Sequence, residues 1–411
     1  MHETIFLQFY SRRKSGVYNL LNGFSDTYDL CRRHGEPRWY PEAPDKRNER
    51  QYDHYAANPP PIRKGTVFIS ALDVNHLYQS WVWADLHPDI TFVVGGPVAA
   101  EINTDGPRRQ PAYVRVDDPA ALPQNFVLTG KSVETWFGVP DFSGPWRLEL
   151  PGGIAPDSPI YFSYTLDNIC FWNRCIYCNM GCHDRQNNRR RTDMAFEFQH
   201  LPFEGVKQVR LNTGSLTPHH IRNLLPLLPR GETFQYRTFM RPAAAETRAL
   251  RDAIAAAQGP LPEMVLGFGV EFPSMRMLAH IQKGFTPEEM MTALELCSAH
   301  HIRVNGNVIV GWNNLTPGDI DALASFFDRM PHGAFRTLQL RWLFAHPFTA
   351  IHDRYRGTPR TFGPFYEGFS VALDNAEQIA LNRTAVEIIL RHGPMKGYTV
   401  QGLAKVKEHL D

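Results

Sequence analysis

The chain has 411 residues, 43 % hydrophobic and 21 % charged, with 43 basic against 42 acidic side chains and a formal net charge of +1. That balance excludes a global field drawing in nucleic acid or an anionic membrane surface. No apolar run approaches the roughly 20 residues needed to span a bilayer, and Met1 to Leu7 lack the basic-then-apolar layout of a secretory leader, so the expected location is the cytoplasm.

In chain order, Ile5–Tyr10 reads as a first strand and Thr66–Ser70 as a second, with Glu36 to Lys64, rich in Pro, Arg, Asp and Asn, read as a long loop between them. Leu77 to Leu86 has the pattern of an amphipathic helix. Ile90–Val94 follows as a third strand ending at Gly95-Gly96-Pro97, then a weak fourth at Tyr113–Val116 and a firmer fifth at Asn125–Leu128. Continuous apolar strands joined by helices predict a parallel sheet covered on both faces. Residues 136–158, with several Pro and Gly, read as a connection between domains.

From 159 a second alternation begins. Strands are expected at 160–164 and near 207–212, 233–239, 264–270, 304–310 and 336–343, with helices at 217–228, 244–258, 274–282, 287–299 and 317–330. Six such units predict a partial (β/α)6 barrel over 159–345, where chemistry gathers at the carboxyl ends of strands. The extension over 346–411 is expected to hold one helix, Asn375 to His392, and a short basic tail. Its neighbourhood is aromatic (Trp342, Phe344, Phe348, Phe362, Phe365, Tyr366, Phe369), as either core or the lining of a substrate cavity.

Of six cysteines, four fall between 170 and 182, while Cys31 and Cys297 stand alone. Such clustering in a reducing compartment argues for metal ligation over a disulfide framework. Cys170, Cys175 and Cys178, spaced by four and then two residues, can hold three irons of a [4Fe–4S] cube and leave the fourth iron open for reaction. With Cys182 as a fourth thiolate, the same loop can instead close a structural zinc site.

The loop Cys170-Phe171-Trp172-Asn173-Arg174-Cys175-Ile176-Tyr177-Cys178 resembles that of radical S-adenosylmethionine (SAM) enzymes, whose usual pattern is Cys-x3-Cys-x-aromatic-Cys. The first gap here is one residue longer, as in a Cys-aromatic-Trp-x-x-Cys variant of the family. Leu266 to Ser274 followed by Lys283-Gly284-Phe285-Thr286 is similar to the family's fourth-strand block, and Val304 to Trp312 to its fifth. The resemblance implies that Tyr177 lies near the adenine of SAM and that backbone around Asn212, Thr213 and Gly214 meets its amine. It further implies that Glu271 binds its ribose or ammonium, and that Val308 and Ile309 pack on adenine. The family's usual glutamate after the fifth strand is absent, with Trp312-Asn313-Asn314-Leu315 in its place. Arg189, Arg190 and Arg191 read as a solvated face or as a carboxylate partner.

Ahead of such a barrel, a Rossmann-like domain over 1–135 resembles the cobalamin-binding subfamily. Ser70, Gly95 and Gly96 would stand at strand ends where a ligand of an open parallel sheet binds, and Asn125–Gly130 followed by Glu134 matches the subfamily's last strand and turn. The Asp-x-His-x-x-Gly motif that gives cobalt a histidine is absent; Tyr10 to Gly16 occupies its place, and His76 is a lone histidine near a strand end. The function implied is a cobalamin-dependent radical SAM methyltransferase acting on an unactivated carbon of a peptide or small natural product. The implied cofactors are a [4Fe–4S] cluster, SAM and cobalamin, and the implied partner is an electron donor such as flavodoxin or ferredoxin. Two alternatives stay open: a cobalamin-independent radical SAM enzyme performing rearrangement or coupling, and a zinc-stabilised binding protein.

Overall fold

A computed structural model describes residues 3–12, 18–20, 35–41, 51–71, 74–95, 115–116, 119–128, 154–155, 158–166, 170–178, 206–228, 235–257 and 261–410. Gly96, Cys31, Cys182, Glu134, Arg189 to Arg191 and most of the 136–158 connection lie outside the described residues. By contacts the chain forms two units. The first comprises Met1–Ile169, Cys182–Asn212 and Pro359–Gly368; the second comprises Cys170–Gly181, Thr213–Thr358 and Phe369–Asp411.

The first unit is built on a mainly parallel sheet of β1 (Glu3–Arg12), β2 (Tyr18–Leu20), β3 (Glu36–Pro41), β4 (Gly65–Ser70), β5 (Ile90–Gly95) and β7 (Phe126–Leu128). Register aligns Ile5 with Val67, Val67 with Phe92 and Phe92 with Phe126, so one row of apolar side chains crosses four strands. All four are buried. Helix α1 (Gln51–Ala57) precedes β4, and α2 (Val74–Leu86) joins β4 to β5. The Trp83 indole of α2, fully buried, donates to Asn58 O at 2.9 Å. Strands β8 (Ile160–Thr165) and β9 (Val206–Asn212) fall with this unit because β8 pairs in parallel with β2, Tyr18 against Ile160.

Two expectations change here. The stretch read as a loop from Glu36 holds β3 and α1: β3 lies along β1 in parallel, with Pro37 and Pro41 opposite Phe6 and Tyr10. Proline is tolerated on such an edge strand, so its presence did not forbid one. The fourth strand is only Arg115–Val116 (β6) among the described residues, and it leaves the parallel sheet to pair antiparallel with Phe365 and Tyr366.

The second unit carries a parallel sheet of β10 (Gln235–Phe239), β11 (Met264–Glu271), β12 (Arg303–Val310), β13 (Thr337–Trp342) and β17 (Thr399–Gln401). The helices are α3 (Pro218–Leu224), α4 (Ala244–Ala256), α5 (Met275–His280), α6 (Pro287–Ala299) and α7 (Pro317–Arg329), followed by α8 (Ala350–Arg354), α9 (Ala376–Lys396) and α10 (Leu403–Lys407). Three of them start on the same Thr-Pro signal. Thr217, Thr286 and Thr316 cap the first turn through the hydroxyl, with proline as the first helical residue, where its missing N–H costs nothing. The sheet does not close into a barrel among the described residues.

Side chains alternate between the two faces of these strands. Leu266, Phe268, Val304, Val308, Leu338 and Leu340 are buried on one face. Asn305, Asn307, Ile309, Thr337 and Gln339 lie half-buried on the other, with Gly267 and Gly269 beside Asn305 and Asn307 in register. Val308 and Ile309 therefore cannot pack on one adenine together; Val308 belongs to the core.

The C-terminal extension is not only helical. It adds β15 (Gly357–Phe362) and β16 (Phe365–Val371), a hairpin turning at Gly363 (φ 55°), and β16 pairs antiparallel with β14 (Phe344–Ala345) through Phe369 and Ser370. The aromatics of this stretch fall on a strand: Phe365, Tyr366 and Phe369 of β16 are buried, whereas Phe348 is 62 % exposed. No helix of the described residues is long and apolar enough to cross a membrane.

Candidate functional site

The three cysteines of the 170–178 loop are half-buried and not joined in a disulfide. Cys178 N donates to Cys175 O at 3.2 Å, closing the turn between the second and third. Asn173 takes a left-handed backbone (φ 46°), a conformation asparagine tolerates better than most residues. Ile176 ties the loop on both sides: its N–H donates to Ile281 O and its carbonyl accepts from Ile351 N, both at 3.3 Å.

The turn after β9 supports the first cysteine. A Cβ on Gly214 would fall 2.8 Å from the Cα, Cβ and N of Cys170, so only glycine lets the two segments approach this closely. Thr213 beside it is buried, and its hydroxyl donates to Ser215 O at 3.2 Å. Asn212, the last residue of β9, is half-buried, and its carbonyl accepts Leu166 N at 2.9 Å.

Tyr177, Glu271 and Lys283 meet in one polar knot. Tyr177 OH donates to Glu271 Oε1 at 2.7 Å, and Lys283 Nζ donates to the same oxygen at 2.6 Å and to Tyr177 OH at 2.8 Å. Glu271 is only 5 % exposed, ends β11 after a bulge and holds a left-handed backbone (φ 56°) that is strained for a residue with a Cβ. Gly269 makes room: its Cβ would lie 2.3 Å from Glu271 Oε1 and 2.7 Å from Lys283 Nζ. Burial pushes the Tyr177 hydroxyl well above its ordinary pKa, and the Glu271 charge adds to this. Burial would lower the Lys283 ammonium, but Glu271 and the Cys175 thiol outweigh it and hold the group above its usual value. Burial likewise raises the Cys175 thiol, with Lys283 opposing.

At the end of β12, where the expected glutamate is missing, Trp312 is fully buried and stands edge-on to Tyr177, ring centroids 6.2 Å apart. Its indole donates to Ile309 O at 2.8 Å. The contributions of Lys283 and Trp312, and of Trp172 and Arg241 below, were not predicted individually from the sequence. The local signals were a Lys-Gly turn and tryptophans in loops; only the fold brings them together.

In the first unit, Ser70 and Gly95 are register partners at the carboxyl ends of β4 and β5, and Ala71 N donates to Gly95 O at 2.7 Å. His76 is not presented there as a ligand: it is 2 % exposed, its ring stacked on Phe9 with centroids 4.0 Å apart. Among the described residues no group of three His, Cys, Asp or Glu side chains is gathered as for a single metal ion. Cys297, on α6, is buried apart from the loop, and burial pushes its thiol up to about 12. The donor chemistry of the loop suits iron, with three cysteine sulfurs on one short segment and a glycine seat under the first. Ser70 and Gly95 suit a flat ligand over the sheet edge, because a glycine sets no side chain in its way.

No family model matches the chain. The ribosomal protein uS12 methylthiotransferase RimO of Kineococcus radiotolerans is 25 % identical over 205 residues, 47 % of this chain. The match spans only 40 % of that protein's length. Among solved structures, the radical SAM methyltransferase TsrM from Kitasatospora setae with cobalamin and a [4Fe–4S] cluster bound has a TM-score of 0.53 at 14 % identity, over 88 % of this chain and 80 % of that one. TsrM with its tryptophan substrate and a SAM analogue gives 0.54 at 14 % identity, over 93 % and 83 %. The α/β fold expected from the sequence, a Rossmann-like part followed by a partial (β/α) barrel, is the fold of this chain.

Proposed function

We propose that the chain is a radical SAM enzyme of the cobalamin-binding subfamily, a methyltransferase acting on an unactivated carbon of a peptide or small natural product. The observation that carries this reading is the juxtaposition of three cysteines in one braced loop with the Tyr177–Glu271–Lys283 knot around a buried carboxylate. When bound, the cluster and SAM supply reductive sulfonium cleavage and hydrogen abstraction, and cobalamin supplies the methyl group.

The chain's own part is to hold and orient. Cys170, Cys175 and Cys178 would each ligate one iron. Backbone at Asn212, Thr213 and Gly214 would meet the amine of SAM, next to the first cysteine that Gly214 seats. Glu271 would accept from the ribose hydroxyls or the ammonium. Lys283 pairs with that carboxylate in a buried place, and the Tyr177 and Lys283 bonds to Glu271 both fall on Oε1. Tyr177 would face the adenine, with Ile309 on the half-buried face of β12 as a second wall. Ser70 and Gly95, with Gly96 beyond them, would hold the corrin ring without a histidine ligand from His76. Electrons would come from a flavodoxin or ferredoxin.

The test is anaerobic reconstitution with iron, sulfide and hydroxocobalamin, removal of free cofactor, and EPR of the reduced protein with and without SAM. A [4Fe–4S]⁺ signal that shifts with SAM, with corrinoid retained, is the expected result. Cluster and SAM response without corrinoid would leave a radical SAM enzyme and remove cobalamin. Stoichiometric zinc and no iron would overturn the radical reading altogether.

A further inference from the structure

The longer first gap of the cysteine loop contains a tryptophan that none of the cofactor roles above uses. Trp172 is half-buried and lies outside the hydrophobic core, yet it is held from several directions. Its Nε1 donates to Gln282 O at 2.7 Å. Its ring lies on Gly284, where a Cβ would come within 1.9 Å of Trp172 Cζ2 and the backbone is left-handed at φ 73°. The guanidinium carbon of Arg241 sits 4.0 Å from the ring centroid, and Arg241 Nη2 donates to Gly284 O at 2.8 Å.

Arg241 is itself fixed. It pairs with the buried Glu246 at 3.4 Å, and its backbone N–H donates to Ser215 Oγ at 3.1 Å. Ser215 adjoins Gly214, which seats Cys170, so the contacts form a closed circuit from Cys170 through Arg241 to Trp172 and back into the loop. The turn that grips Trp172 also touches the loop elsewhere: Ile281 O accepts Ile176 N, and Lys283 reaches Tyr177.

We infer that Trp172 is a positioning residue that latches the cysteine loop onto the 281–284 turn, so that the loop holds its cluster-ready shape before iron arrives. A loop with one more residue in the first gap has more conformations to lose on ligation, and anchoring a residue inside that gap removes some of them in advance. The latch rests on the reading of the loop as a cluster site, but part of its test needs no cofactor.

In cluster-free protein, the amides of Ile176 and Cys178 are expected to exchange slowly, and Trp172→Ala to speed both by about tenfold or more, the worth of one lost hydrogen bond and its packing. After reconstitution, a chelator should strip iron from Trp172→Ala faster than from wild type by a similar factor. Trp172→Phe, which keeps the ring and loses the indole donor, should fall between. In a Gly284→Ala background the ring is already displaced, so adding Trp172→Ala should change little further. Circular dichroism confirms the fold of each variant; should Trp172→Ala not fold, Trp172→Phe and Arg241→Met carry the same comparison. Wild-type exchange and stripping rates in the folded variants overturn the latch alone. A wild-type chain that takes up no iron under these conditions overturns the cluster reading, and the latch's purpose with it.

Discussion

The carboxamide of Asn382, fully buried on α9, closes the end of β12: its Oδ1 accepts Gly311 N at 2.7 Å and Trp312 N at 3.3 Å, and its Nδ2 donates to Trp312 O at 2.9 Å. One helical turn earlier, Gln378 does the same for Leu315, accepting its N–H and donating to its carbonyl, both at 3.0 Å. Two amides at i and i+4 of one helix thus shape the segment that follows β12 and carries Trp312 against Tyr177. Asn382→Leu would strand three buried backbone groups and is expected to cost about 3 kcal/mol, read as a lower urea midpoint at unchanged slope. Asn382→Asp, which keeps the acceptor, should cost less.

Lys283 and Glu271 form a pair whose halves are each worth little alone. Lys283→Met would leave a nearly buried carboxylate without its cation, an expected loss of about 3–5 kcal/mol. Adding Glu271→Gln should return part of it, so the double variant is more stable than the two single losses predict. Because the lysine's pKa is raised in the folded chain, its contribution is complete below the unfolded value of about 10.4 and is lost only as pH rises through the higher folded value. Urea unfolding of the four proteins of the cycle checks the coupling.

Replacing Cys170, Cys175 or Cys178 singly by alanine is expected to abolish SAM cleavage, measured as release of 5′-deoxyadenosine. Cys182→Ala is expected to matter much less. A closed zinc site would instead lose its metal with any of the four, which metal analysis of the same variants reads directly.

Asp319 is a stability element that acid should switch off. It is 2 % exposed, accepts Ser274 Oγ at 2.6 Å and Thr316 N at 2.8 Å, and pairs with Arg276, tying the start of α5 to the start of α7. Burial would raise its carboxyl, but the bonds from Arg276, Ser274 and Thr316 outweigh it, and the group titrates below its ordinary value. Its contribution is therefore present above the unfolded value of about 3.9 and is lost as pH falls through the lower folded one. Asp319→Asn is expected to cost about 2 kcal/mol near neutrality and to flatten the fall in stability as pH drops below about 4. Urea midpoints across that range test it.

Phe365, on the C-terminal hairpin, is fully buried in the core of the first unit, with its ring 6.1 Å from that of Phe126. Phe365→Ala is expected to cost about 3–5 kcal/mol. Proteolysis under native conditions should then cut the first unit sooner, because that is the core it opens.

Much of this arrangement could be read in advance. The strands of both alternations and the three Thr-Pro helix starts are local signals, each settled within a few residues. The cysteine spacing is local too. What stayed hidden depends on long separations: Tyr177 finds Glu271 across 94 residues and Lys283 across 106, and no periodicity reports such meetings. Strand β3 was missed because its prolines speak against a strand unless its edge position is known. The C-terminal hairpin was missed because an aromatic run fits core, cavity wall and strand equally well. Val308 and Ile309 part company because adjacent strand residues point to opposite faces.

The hairpin has a further consequence, in time rather than in space. Residues 359–368 belong to the first unit although the chain on either side of them belongs to the second. A ribosome that has finished Leu128 must add 237 more residues before Phe365 exists. At about 5–20 residues per second, that interval is on the order of 10–50 s. Throughout it the nascent first unit waits with part of its apolar surface uncovered, a client for whatever shields hydrophobic chains in the cell until its last side chain is made.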